Sequence, residues 1–298
     1  MSKEPLSKIV EKQEWLNSSE ETVQNAVKEA LQVTGDGTKD FLHGKWIGHP
    51  LHVILTDIPL GSWTAAVACD AIASITDNEE LDAAADATVA VGLVGALGAA
   101  LTGITDWSEV DPPARRIGFV HALLNIGATG LFTASLVSRR RGSRASGRGL
   151  AALGFLVATV SAKLGGSLVY EHRIGVDRST EHPSPSDFVS VMAEADLPQD
   201  TPKRAMWEET PILLVRRGSQ VYALQETCSH LGGPLSEGKL EGDTIQCPWH
   251  GSTFSIVDGS VVRGPAVHPQ SCLDVRVRNG QIEVRRHRYE HQQLQPAA

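Results

Sequence analysis

Two regimes of hydrophobic patterning divide the chain. Residues 1–48 and 171–298 mix polar, charged and apolar positions, whereas 49–170 is dominated by Ala, Gly, Leu, Val and Ile. Four apolar runs follow one another inside the middle stretch. The first, about 50–76, carries Asp57 and Asp70; the second, 87–105, has no charge; the third, 117–138, has His121 as its single ionisable residue; the fourth, about 149–170, contains Lys163. Each approaches the roughly 20 residues that cross a hydrocarbon core as a helix. Glycines such as Gly92, Gly95, Gly98, Gly127 and Gly130 suit close helix packing in such a setting. The pattern predicts a four-helix transmembrane bundle over 49–172. A soluble alanine-rich bundle with Asp57, Asp70 and Lys163 facing water is the alternative, but four near-spanning runs in succession are hard to obtain otherwise.

The flanks read differently. Val23, Ala26, Val27, Ala30 and Leu31 repeat at helical spacing, which predicts an amphipathic helix over 19–33, and Ser18 with Glu21 has the form of a capping box. Gly35, Gly37 and Gly44 then break it within a polar N-terminal segment, 1–48. Residues 173–185 read as a linker. From 186 the runs ILLVRR, VYAL, TIQC, SIV, LDVRV and IEVRR alternate with turn sequences, the signature of a small antiparallel all-β domain over 186–287. A tail, 288–298, follows, and no internal repeat is evident. The expected fold is therefore multidomain.

Composition narrows the function. A net charge of −8 and 5% aromatic residues argue against nucleic acid as a partner. Four cysteines at wide spacing do not form a disulfide framework, so a metal site is the better reading. Two pairs stand out, Cys228-Ser-His230 and Cys247-Pro-Trp-His250, with sixteen residues between His230 and Cys247. Small or turn-forming residues surround them: Gly232, Gly233 and Pro234 after the first pair, Gly251 after the second. Zinc also takes Cys₂His₂ sets, but fingers usually place both cysteines before both histidines. Here each loop contributes one of each, as a two-iron centre with thiolates on one iron and imidazoles on the other requires. Cys69 and Cys272 lie in apolar runs and read as packing thiols.

The segment CSHLGGPLSEGKLEGDTIQCPWHGSTF resembles the Rieske ferredoxin-like family, and the likeness extends over about 186–287. That resemblance implies a [2Fe-2S] cluster ligated by Cys228, His230, Cys247 and His250. Members with a loop-to-loop disulfide carry extra cysteines where this chain has Gly233 and Trp249, so the ferredoxin-type branch is implied. Ser252 is a candidate for tuning the cluster through its hydroxyl, or else a capping serine in a turn. Phe254 lacks the phenol of high-potential members, so an intermediate-to-low potential is expected. Likewise GHPLHVILTDIPLGSW, HALLN and GGSLVYEHRIGV resemble a four-helix membrane family of unknown function (the one numbered 2231) over about 40–176.

Four spans would leave both flanks on one side of a membrane. Near that side gather His49, His52, Asp57, His121, Asn125, Lys163 and His172, while Asp70 lies near the other. Ionisable groups in spanning segments usually mark a site, so these residues are candidates for holding haem or a quinone. The alternative is histidines capping helix ends at headgroup level, which suits His49 and His172. Five arginines after the third run (Arg139, Arg140, Arg141, Arg144, Arg148) oppose six cations on the other side (Lys39, Lys45, Arg115, Arg116, Arg173, Arg178), so charge leaves orientation open. No export signal is visible, which favours a multi-pass cell-membrane protein with its β domain in the cytoplasm. The expected function is one-electron transfer between a redox protein partner and a membrane quinone or haem, with lipid around the helices. An oxygenase or reductase component and a redox sensor are the alternatives. Beyond the motif only His268, His287 and His291 remain, with too little chain for a catalytic iron domain.

Overall fold

The computed structural model describes residues 5–287; the tail expected over 288–298 lies outside the described residues. Two units form, Met1–Gly175 and Val176–Ala298. From Val176 onward, the segment that reads as a linker belongs to the second unit.

The first unit is helical. Three short helices, α1 (Pro5–Glu11), α2 (Asn17–Gln32) and α3 (Asp36–His43), precede four long ones: α4 (Leu51–Thr76), α5 (Glu79–Trp107), α6 (Ala114–Arg140) and α7 (Arg144–Tyr170). All four long helices are long and apolar enough to cross a membrane. Their outer surfaces carry Ile54, Ile72, Val94, Leu97, Ile126 and Leu156, all exposed, while small or polar residues such as Ala66, Thr102, Thr105, Ser135 and Ser161 are buried. An apolar exterior around an interior of small residues suits lipid outside and close helix contact inside. The α5 start lies earlier than its charge-free run suggests. Glu79, Glu80 and Asp82 occupy its first turn, where carboxylates complement the helix dipole, and the Asn78 side chain accepts from the Glu80 and Leu81 amides.

Two readings of the N-terminal segment change. Ser18 lies inside α2, which starts at Asn17 after a 3₁₀ turn, so the capping box is not formed; the Ser18 carbonyl instead accepts the Thr22 hydroxyl. The glycine-rich break holds α3, closed by Gly44 in the left-handed region, where an added Cβ would lie 2.1 Å from the His49 carbonyl oxygen. Buried Glu20 of α2 faces Arg115 and Arg116, and Gln24 donates to the carbonyls of Trp107 and Val110. These contacts clamp the short helices onto the ends of the long ones.

The structure also reveals a repeat that the sequence does not make evident. His52, Leu55, Gly61, Thr64 and Ala65 of α4 recur at constant spacing as His121, Leu124, Gly130, Thr133 and Ala134 of α6. Val89, Gly92, Ala96 and Gly103 of α5 correspond in the same way to Ala151, Gly154, Ala158 and Gly165 of α7. Equivalent side chains meet between α4 and α6: Trp63 stacks on Phe132 with centroids 4.1 Å apart, and Asp70 pairs with Arg139 nearer the helix ends. Gly92 makes room for the Trp63 ring, and Gly154 does so for the Phe132 ring. Contacts between equivalent positions are the mark of a two-fold relation, so α4–α5 and α6–α7 are two copies of one hairpin.

The second unit is all-β. A six-stranded antiparallel sheet runs in the order β1 (Val189–Ala193), β10 (Gln281–Arg286), β9 (Cys272–Arg278), β4 (Gln220–Gln225), β3 (Thr210–Arg217), β2 (Lys203–Trp207). A four-stranded sheet follows chain order: β5 (Lys239–Glu241), β6 (Thr244–Gln246), β7 (Thr253–Ser255), β8 (Val261–Arg263). The SIV run only grazes a strand, since Ile256 and Val257 fall in the turn after β7. Alternation along β3 serves two cores at once. Leu213 and Val215 join Leu224, Ile245, Phe254 and Ile256 on one face, while Ile212 and Leu214 join Leu273, Ile282 and Val284 on the other. The first of these cores is continuous with Cys228 and Cys247.

Candidate metal centre

Two loops carry the four donors. The connection from β4 to β5 holds Cys228 and His230, and the loop from β6 to β7 holds Cys247 and His250. Each loop is closed by its own backbone. Cys228 N–H donates to the Gly233 carbonyl and Gly232 N–H to the Cys228 carbonyl; Cys247 N–H donates to the Ser252 carbonyl and Gly251 N–H to the Cys247 carbonyl. Gly232 and Gly251 both have positive φ, so these tight reversals favour glycine.

The donors sort by element. Cys228 and Cys247 are 1% and 3% exposed, both as free thiols, and their side chains hydrogen-bond to each other. The His230 and His250 rings stand edge to face, 5.2 Å between centroids, and both are half-buried. His230 Nδ1 is buried. Among the described residues, no three His, Cys, Asp or Glu side chains converge as the ligands of a single ion would. A sulfur pair inside and an imidazole pair at the rim suit a centre that takes thiolates on one iron and imidazoles on the other.

Electrostatics treat the two sulfurs differently, favouring thiolate at Cys247 and thiol at Cys228. The hydrogen bond from Cys228 brings Cys247 down to about 7, and the Trp249 and His250 amides add to that effect. The same bond, together with burial, pushes Cys228 well up while its proton is the one shared. The amides of His230 and Leu231 also point at the Cys228 sulfur. Four backbone donors thus face two sulfurs. A Cβ on Gly233 would approach the Cys247 Sγ to 2.7 Å and the Trp249 ring to 3.0 Å, so side-chain-free backbone forms part of the cradle. No disulfide ties the loops.

A third loop, between β8 and β9, fastens both. Its Gln270 side chain accepts from the Ser229 amide and donates to the carbonyls of Gln225 and Thr227, while the Ser229 hydroxyl donates to the His268 carbonyl. The Ala266 amide donates to the buried Ser252 hydroxyl oxygen. Buried Glu226 accepts from the Ser236 hydroxyl, fixing the turn that follows the first loop. Ser229, Glu226 and Gln270 have no motif of their own; a Gln between Pro269 and a strand was the sole available signal. Cys272 lies in β9, where burial pushes its thiol up to about 11, the behaviour of a packing residue.

The residues of the helical unit separate into two groups. His52 and His121 face inward: His52 Nδ1 lies 2.8 Å from the Ala99 carbonyl, and His121 Nδ1 lies 2.8 Å from the Ser161 carbonyl, with Asn125 Nδ2 at 3.1 Å from its Nε2. The others do not join them. His49, Asp57 and Lys163 are exposed, and His172 pairs with Glu11 of α1.

Residues 187–283 match the family described as the Rieske [2Fe-2S] domain, and residues 48–178 match the family described as a predicted membrane protein (DUF2231). Ferredoxin CarAc of Metapseudomonas resinovorans is 35% identical over 98 residues, a match that spans 33% of this chain and 92% of that protein. The 3-phenylpropionate/cinnamic acid dioxygenase ferredoxin subunit of Shigella flexneri is 36% identical over 92 residues, 30% of this chain and 85% of the relative. The anthranilate 1,2-dioxygenase ferredoxin subunit of Burkholderia cepacia is 31% identical over 86 residues, 29% of this chain and 80% of its own.

Proposed function

Since the chain belongs to the Rieske [2Fe-2S] family, we infer that it is a membrane-anchored one-electron carrier that exchanges electrons with a soluble redox protein and with a quinone or haem at the membrane. The observation that carries this reading is the split of the donor set, with sulfurs buried in the β core and imidazoles at an exposed tip beside Trp249, which is 56% exposed. The relatives' role as ferredoxin subunits supports electron transfer. The apolar exterior of α4–α7 supports anchoring in a bilayer as a multi-pass unit, and the β unit is assigned to the cytoplasm because clusters are assembled there.

When bound, a [2Fe-2S] cluster supplies a reversible one-electron couple. Cys228 and Cys247 would hold one iron, and His230 and His250 the other. The remaining residues do the rest of the work. Leu235, Ile245 and Phe254 exclude water from the sulfur side. The four backbone amides offset negative charge on the thiolates, which favours the reduced state. Pro248 and Trp249 offer an apolar contact to a docking partner next to the imidazole edges.

Ser252 is the tuning residue in this reading. Its oxygen accepts the Ala266 amide, so its own proton is left as a donor beside the Cys247 loop. Ser252→Ala is expected to lower the reduction potential on the order of 50 mV, about 1 kcal/mol of differential hydrogen bonding in a one-electron couple. Film voltammetry of both proteins measures this.

The proposal as a whole is tested on the full chain, purified in detergent from washed membranes. Dithionite reduction should produce the EPR signal of a Rieske centre, and carbonate washing should leave the chain in the membrane pellet. A reduced protein without that signal, or release into the wash, defeats the corresponding half of the proposal.

A further inference from the structure

The side chains of α2 meet three environments, where an amphipathic helix on a soluble protein meets two. At about 100° per residue they fall into three sectors. Glu20 and Gln24 are buried against the bundle, with Leu31 half-buried beside them. Glu21, Asn25, Glu29 and Gln32 form a polar sector, all exposed. Val23, Ala26 and Ala30 form a third sector that is apolar and exposed, and half-buried Val27 lies between it and the bundle. The amphipathic helix expected over 19–33 therefore forms, but polar groups hold it to the protein and its apolar stripe is left bare.

The same polar contacts fix its height. Gln24 donates to the Trp107 and Val110 carbonyls where α5 ends, and Glu20 takes Arg115 and Arg116 where α6 begins. That is the level at which a spanning helix leaves the hydrocarbon. Aromatic residues collect at this end of the bundle. Trp15, just before α2, is 73% exposed; Trp46, just after α3, is 62% exposed and stacks on Phe41; exposed Tyr170 ends α7. Both indole N–H groups are bonded within their own turn, Trp15 to the Gln13 side chain and Trp46 to the Phe41 carbonyl, so the rings are apolar surfaces with their polar edges satisfied. At the opposite end, 72–79 and 137–148 contain no Trp, Tyr or Phe. Trp and Tyr concentrate at headgroup level, and here they mark one leaflet.

Val53 and Ile54, in the first turn of α4 just after Trp46, are exposed, as is Ile104 in the last turn of α5. The apolar exterior of the long helices thus reaches the level of α2, and lipid is the apolar medium that continues it. We propose that α2 is an interfacial helix lying in the headgroup layer of one leaflet, with Val23, Ala26 and Ala30 against the acyl chains and Trp15 and Trp46 as anchors beside it. The inference rests on the reading of α4–α7 as membrane-spanning. It makes the polar N-terminal segment part of the membrane unit.

The test uses the full chain reconstituted in phosphatidylcholine vesicles whose acyl chains carry bromine either near the headgroup or near the chain end. Bromine quenches tryptophan on contact. Trp15→Phe and Trp46→Phe each remove one emitter, so the difference from wild type is the emission of that indole. Both differences should be blue-shifted and lose most of their intensity to shallow bromine, and less to deep bromine. On α2 itself, Ala26→Trp should behave in the same way, while Asn25→Trp, on the polar sector, should emit as in water and escape quenching. Leu97→Trp, at an exposed position midway along α5, reports the span separately and should be quenched most by deep bromine. Quenching of Leu97→Trp without quenching of Trp15, Trp46 and Ala26→Trp overturns the proposal and leaves the spanning reading intact; blue-shifted emission in that case means that a second copy or the β unit covers the face. Equal quenching of Ala26→Trp and Asn25→Trp also overturns it, because the sectors then do not separate lipid from water. An unquenched Leu97→Trp defeats the spanning reading and the proposal with it.

Discussion

Cys247→Ala is expected to abolish the iron–sulfur centre, with complete loss of the reduced EPR signal and of acid-labile sulfide. The reason is the division of labour between the thiols and the imidazoles. Cys228 and Cys247 are the buried thiols of the inner pair, held within hydrogen-bonding range of each other. With one removed, the inner iron keeps a single protein ligand, and no other thiol of the chain is placed to replace it. Cys272 is packed at the edge of the same core but lies in β9, with its thiol directed at the Gln270 carbonyl. Cys272→Ser is therefore the matched control and should retain the full signal. The second unit should also lose stability in Cys247→Ala, since the energy of metal binding is partly energy of folding. Iron and sulfide content, EPR and the thermal midpoint of the two variants measure both effects.

The largest effect on stability is expected at the other end of the helical unit. Asp70 and Arg139, repeat-related neighbours of α4 and α6, form a two-pronged ion pair and are each 5% exposed. Asp86 lies 3.0 Å from the same guanidinium, and Asp82 and Arg144 extend the network. Asp70→Ala leaves a buried guanidinium with the partly exposed Asp86 as its remaining carboxylate. Breaking a buried pair from one side typically costs about 3–5 kcal/mol. Asp70→Ala should therefore sharply lower the thermal midpoint in detergent, while Asp70→Leu with Arg139→Met should recover much of the loss. Equal stability of the single and double variants would show that the pair contributes packing alone. The network also bears on membrane orientation. Arg139, Arg144 and Arg148 are paired with aspartates, so the loop after α6 shows the outside far less charge than its arginines suggest.

How much of this was legible in the sequence depended on how local the signal was. The candidate metal motif stood out in the sequence, because Cys228-Ser-His230 and Cys247-Pro-Trp-His250 each fit within one loop and their order of donors differs from that of a zinc finger; the structure brings the two loops together. The four long helices were legible because little besides a membrane span produces an apolar run of bilayer length. The strands of three residues, Lys239–Glu241 and Val261–Arg263, were not: two or three alternations are too few to stand out from turns. The internal repeat was hidden for another reason. Its central positions differ where the copies touch, Trp63 against Phe132 and Asp70 against Arg139, since a pair that meets across a two-fold relation gains from being complementary rather than identical. Glu20 shows the same limit. Nothing about a glutamate on a polar helix foretells that two arginines from a distant helix will bury it.

Gln270 gives the β unit a property of its own. One side chain is bonded to the amide of Ser229 and to the carbonyls of Gln225 and Thr227, so the first ligand loop is fixed from a loop that supplies no ligand. The Ala266 amide on that same loop fixes the second ligand loop through Ser252. Such bracing limits how far the ligands can shift when the charge on the metals changes by one. A small nuclear rearrangement means a small reorganisation energy, and hence fast self-exchange.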